Sequence, residues 1–122
     1  MRIGNDKLID NSQAMSSNFE LAPIWLGHIE NYSIQLFFTG TPNGVFKLQA
    51  SNDLGNPVKG EAYAANGVEN WTDILNSEQA ITEAGDHMWQ VCNAGYRWVR
   101  VVYTNSGGTG SLDLARFNVK GY

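Results

Sequence analysis

The sequence predicts an all-β fold, a single antiparallel β-sandwich of jelly-roll type spanning residues 1–122. Three observations predict it. Short segments of period-two apolar alternation recur along the 122 residues. Clusters of Gly, Asn, Ser and Pro separate them. No stretch carries three turns of helical periodicity. Apolar residues make up 43% of the chain and charged residues 16%, a balance that builds a core and leaves a surface of uncharged turn formers.

Taken in order, the N-terminal part offers short strands at Lys7–Ile9 and about Phe19–Leu26, and residues 1–17 are expected as an extended contact arm. Tyr32–Thr39 alternates cleanly, with Tyr32, Ile34, Leu36 and Phe38 on one face. Gly40-Thr41-Pro42-Asn43-Gly44 then reads as a turn, its Asn-Gly pair suited to the positive φ of a hairpin. Val45–Ser51 returns as a strand, with Phe46, Leu48 and Ala50 facing the core and Lys47 and Gln49 facing water. Residues 52–70 are irregular, with a short strand or a helical turn at Glu61–Ala64. Trp71–Ile74, Glu78–Thr82 and Asp86–Val91 read as short strands.

Tyr96–Thr104 (YRWVRVVYT) has the strongest strand composition. Val99, Val101 and Tyr103 share one face; Tyr96, Trp98, Arg100 and Val102 share the other. A half-exposed strand should have a polar outer face, and this one does not, so a loop or another subunit is expected to cover it. Tyr96, Trp98, Arg100 and Val102 are therefore the candidate protein-contact residues. Residues 105–110 read as a hairpin loop before the last strand, Ser111–Lys120. There Leu112 and Leu114 differ in parity from Phe117 and Val119, and a β-bulge near Ala115-Arg116 would return all four to one face.

The chemistry-bearing residues predict no catalytic, cofactor or metal site. His28 and His87 form no ligand spacing with Cys92, which its apolar neighbours Trp89 and Val91 mark as a small buried hydrophobe. Asn52, Asp53 and Asn56 carry oxygens suited to a cation but are ordinary turn formers, and Glu83 and Asp86 read as solvated loop charges. Residues 107–110 lack the following helix that a phosphate loop requires. The net charge of −4, with basic residues scattered, argues against nucleic acid as a partner. No apolar run reaches a membrane span and no secretory leader is visible, so synthesis in a cytoplasm is expected. Of the four tryptophans, core packing is expected to take at least three; any left exposed would suit the C–H face of a sugar.

The segments YSIQLFFTGTPNGVFKLQASND, ENWTDI and HMWQVCNAGYRWVRVVYTNSGGTGSLDLARFNVKG resemble a family of small proteins encoded in tailed-phage genomes and prophages. The resemblance covers about Pro23–Gly121. It departs at Leu54–Val68, which reads as an insertion, and at Phe37-Phe38, where the pattern often has Trp. It implies a virion structural protein on the capsid surface, a decoration or cement protein bound to the major capsid protein lattice as a trimer or dimer. A weaker similarity, carried by FKLQASND, NWTDI and YRWVRVVYT, is to discoidin and galactose-binding-like sandwiches. It implies the alternative of a carbohydrate-binding module on a phage fibre or spike, with a glycan as partner.

Overall fold

The computed structural model describes residues 2–7, 12–27, 29–54, 56–57, 65–66 and 68–121. All regular structure among them is strand. In chain order the strands are β1 (Arg2–Lys7), β2 (Gln13–Ala14), β3 (Phe19–Glu20), β4 (Ile24–Trp25), β5 (Tyr32–Thr39), β6 (Gly44–Ser51) and β7 (Asn56–Pro57). They continue as β8 (Ala65–Asn66), β9 (Thr72–Asp73), β10 (Gln79–Ile81), β11 (Gly85–Val91), β12 (Trp98–Asn105) and β13 (Ser111–Gly121). Two antiparallel sheets face each other. One runs β1-β13-β5-β11, with β2 also on β13; the other runs β10-β6-β12-β3, with β4 also on β12 and β9 on β6. β7 and β8 pair apart from both.

The pairings are nested. β6 pairs with β10, β5 with β11, β3 and β4 with β12, and β1 with β13, all antiparallel. The chain is thus one long hairpin that turns back between β6 and β10, with β1, β2, β5, β11 and β13 in one sheet and β3, β4, β6, β9, β10 and β12 in the other. That winding is a jelly roll. The Leu54–Val68 insertion lies at the bend, where extra length lengthens one connection and leaves the nested pairs undisturbed. Within it, Glu61–Ala64 lies outside the described residues. In the segment expected to form an arm, Arg2–Lys7 and Gln13–Ala14 are paired along β13. The expected Phe19–Leu26 strand is split around Pro23, whose ring nitrogen has no proton to donate to a ladder.

The winding corrects the expected hairpin. β5 and β6 do not pair with each other: residues 40–43 carry the chain from one sheet to the other, and residues 106–110 do the same between β12 and β13. Positive φ falls at Gly40 (84°) and Gly110 (125°), not at the Asn-Gly pair. The two crossings run side by side and are bonded to each other. Thr109 N donates to Thr41 O at 2.9 Å, Ser106 N to Asn43 O at 2.7 Å, and the Thr41 and Thr109 hydroxyls meet at 2.8 Å. Alternation along β5 and β6 satisfies a hairpin and a crossing equally, because both present their apolar face to the same interior.

That interior holds Ile34, Leu36, Phe38, Phe46, Leu48, Trp89, Val99, Val101, Tyr103 and Phe117, all buried. Phe46 is its centre, with ring centroids 4.7 Å from Tyr103, 5.9 Å from Phe38 and 6.4 Å from Trp89. The bulge is present, but at Asp113, where the β13–β5 register shifts between Leu112 and Leu114. Leu112, Ala115, Phe117 and Val119 point inward, and Leu114 turns outward opposite Phe37. The extra residue is held by its carboxylate, which accepts hydrogen bonds from Thr39 (2.6 Å), Ser111 (2.8 Å) and Ser12 (2.9 Å). Those bonds hold the Asp113 carboxyl below its ordinary value.

Cys92 is exposed, contrary to the expectation of a buried thiol. β11 ends at Val91 with Trp89 facing inward, so the next residues leave the sheet through Asn93, at φ 59°. His87, on the inward parity of the same strand, stands edge-on to Trp89 at 4.7 Å, and its Nε2 is sequestered without a partner among the described residues. Burial lowers its pKa, with Asp86 partly opposing. The folded chain therefore resists the proton that the unfolded chain accepts. Stability is complete above the ordinary imidazole value of about 6.5 and is lost as pH falls through it towards the depressed folded value. Thermal melts from pH 7.5 to 5 should show this loss, and His87→Phe should flatten it; an unchanged slope in the variant would refute the assignment.

Candidate contact surface

The candidate surface is the outward face of the second sheet, and its rows follow from register. Trp98 lies opposite Ser51 on one side and Trp25 on the other; Arg100 lies opposite Gln49, which in turn faces Asp73; Val102 lies between Lys47 and Glu20. Successive residues of β12 alternate faces, so Trp98, Arg100 and Val102 share this surface as the alternation predicts.

Tyr96 does not share it. It precedes β12, is freed from the alternation, and packs against the interior, its hydroxyl 2.7 Å from that of Tyr32. Burial drives the Tyr32 hydroxyl pKa well upward and raises that of Tyr96.

Trp98 is 0% exposed, yet it stands outside the inter-sheet core. The cover is a loop of the same chain. The Trp98 indole N–H donates to Asp53 O at 3.1 Å, and Asp53 N donates to Ser51 Oγ at 3.1 Å. The Asp53 carboxylate then draws in the returning chain, accepting Glu69 N at 2.8 Å and Asn70 N at 3.0 Å. Those backbone bonds hold its pKa down, and with Asn70 Nδ2 they occupy both carboxylate oxygens. Asp53 thus acts in the turn role expected of it.

The returning chain places Trp71 over the sheet. The Arg100 guanidinium carbon sits 4.3 Å from the Trp71 ring centroid, while its Nε donates to Gln49 Oε1 at 2.9 Å and an η nitrogen lies 3.4 Å from Glu20 Oε2. Gln49 Nε2 donates to Asp73 Oδ1 at 2.8 Å, and Lys47 Nζ lies 3.0 Å from Asp73 Oδ2. Both bonds lower the Asp73 pKa, the Gln49 bond more than the Lys47 one. A continuous polar chain thus runs Glu20–Arg100–Gln49–Asp73–Lys47, flanked by Trp25, Trp71 and Val102.

Trp89 and Trp98 are buried, whereas Trp25 is 42% exposed and Trp71 half-buried. Packing therefore takes two of the four tryptophans, not three. The sequence signals Lys47 and Gln49 as outward-facing, but Glu20, Trp71 and Asp73 reach this face only through pairings that local periodicity does not encode. Packing and paired charges fix the side chains of this surface.

No family model matches this chain, and no curated protein matches it. Among solved structures it is similar to the crystal structure of SPBc2 prophage-derived protein YomS, at a TM-score of 0.56 and 14% sequence identity. The likeness is one of fold. It covers 98% of this chain and 94% of that one, so the jelly roll is shared end to end. Among the described residues no helix is long and apolar enough to cross a membrane.

Proposed function

We propose that this chain is a structural protein of a tailed-phage particle, a decoration or cement protein of the head that binds the major capsid protein lattice. The observation that carries this reading is the outward face of β4, β12, β6 and β9. Half-buried aromatic rings lie there beside a neutralised chain of charges, a mixture suited to a protein partner. The end-to-end fold likeness to a prophage-derived protein and the motif resemblance of Pro23–Gly121 support the phage setting. Each copy would bury about 800 Å² on the lattice, a standard contact. Dimers or trimers would multiply that hold, because once one copy is seated its neighbours bind at high effective concentration.

Mass spectrometry and cryo-microscopy of purified particles test it. The expected result is a repeating density on the head shell with this face against the capsid. Trp71→Ala should lower its occupancy about tenfold while the fold persists. Absence from particles, or density confined to the tail, would overturn the head assignment.

A further inference from the structure

We infer that two copies of this chain associate through the free edge of the first sheet, β11 of one pairing antiparallel with β11 of the other about a two-fold axis at Met88. β11 ends the order β1-β13-β5-β11 and pairs only with β5. Alternate residues of a strand direct their N–H and C=O groups to opposite sides, so half of those in Gly85–Val91 point away from β5. Among the described residues no other segment bonds to the main chain of Gly85–Val91. The other edges are short or guarded. β10 has three residues, and β3, β4 and β9 have two each. β1, at the opposite edge of the same sheet, carries Arg2, Asp6 and Lys7 among its six residues. Brevity and charge are how sheets discourage the addition of a strand. β11 runs seven residues with no Pro or Lys and a single carboxylate, Asp86.

The occupant is a second copy because the strand is complementary to itself. Opposed about Met88, all seven residues find partners: Gly85 meets Val91, Asp86 meets Gln90, and His87 meets Trp89. No like charges face each other, and the Gln90 amide can donate to the Asp86 carboxylate. Met88, 44% exposed, meets its own copy on the outward face, where Phe37 of the adjacent β5 is also exposed. Other centres fit less well. Centring on His87 sets Asp86 against Met88 and leaves Gln90 and Val91 without partners; centring on Trp89 leaves out Gly85 and Asp86. A two-fold contact of this kind closes on two copies, so it selects a dimer over the trimer of the reading above and does not depend on the capsid as partner. β11 and β12 lie in different sheets, so the face of Arg100 and Trp71 is left open in such a dimer.

The test is analytical ultracentrifugation of the full chain from about 1 to 200 µM. A seven-residue edge, about 23 Å long, covers less than the ~800 Å² per partner of a standard interface, so a dissociation constant on the order of 10 µM is expected. Met88→Lys sets two ammonium groups opposite each other at the axis and should weaken association about tenfold or more. Because Met88 is exposed, the melting temperature of that variant in dilute solution should match the parent's. Met88→Cys in a Cys92→Ser background should give a disulfide-linked dimer on mild oxidation, since opposed Cα atoms about 4.5–5.5 Å apart suit that bond. In the parent, Cys92 would lie opposite Ala84 and should not cross-link. A chain that stays monomeric throughout, a dimer unmoved by Met88→Lys, or a dimer in which Met88→Cys forms no cross-link would overturn the inference. Attachment to the capsid is read separately on particles, so either conclusion can fail alone.

Discussion

Gly110→Ala should lower the melting temperature by more than about 10 °C. At φ 125° any side chain strains the backbone, and a Cβ there would sit 2.5 Å from the carbonyl oxygen of Thr39 and 3.3 Å from Pro42 Cδ. The first effect costs about 1–3 kcal/mol. The second pushes one crossing loop off the other and endangers the Thr109–Thr41 and Met15–Gly110 bonds. Together they reach about 3–5 kcal/mol, and in a domain of this size 1 kcal/mol moves the midpoint by a few degrees. Gly107→Ala is the control. Its φ is also positive, at 102°, but a Cβ there meets nothing within 4 Å, so it should lose only the backbone part. Equal effects from the two substitutions, read by circular dichroism melts, would show that the loops separate easily and that their contact contributes little.

Trp98→Ala should cost about 3–5 kcal/mol, as much as removing an aromatic ring from a core, although the residue lies outside the inter-sheet core. It lies between Ser51 and Trp25 across the sheet, and its indole is capped by Asp53, to which the returning Glu69 and Asn70 are bonded. Truncation would leave the Asp53 carbonyl without its indole donor and remove the floor beneath that loop. Because the cover belongs to the same chain, the loss should be independent of protein concentration. A midpoint that shifts with concentration in the parent protein, and no longer does so in the variant, would instead place a second subunit over this face.

Strands with strong alternation were legible in the sequence to within two residues: Tyr32–Thr39 as it stands, and β11 and β12 nearly so. Their partners were not. Alternation records which face of a strand is apolar, and the two sheets of a sandwich offer the same interior, so β5 and β6 could not be assigned to opposite sheets from their own residues. The bulge shows the same limit. Parity in β13 requires a break between Leu112 and Phe117, but its placement at Asp113 depends on the hydroxyls of Thr39, Ser111 and Ser12 converging on one carboxylate. Trp98, Arg100 and Val102 were placed on one face correctly. Tyr96 was not, because the alternation was extended past the start of the strand. The cover over Trp98 was hidden because it comes through Asp53, itself held by Glu69 and Asn70, all far from it in sequence.

The nested winding also dictates when this protein can fold. Each sheet draws strands from both halves of the chain, and the outermost pair joins Arg2 to Gly121. While the ribosome is still adding β12 and β13, each sheet lacks one of its two interior strands, and Phe46 and Ile34 lack Tyr103 and Phe117 among their neighbours. Folding must therefore follow completion of the chain, growing outward from the bend at residues 52–78, and it should be slow because nearly every pairing spans a long loop. A nascent copy stalled before Trp98 would expose two apolar strand faces, making it a substrate for chaperones and proteases.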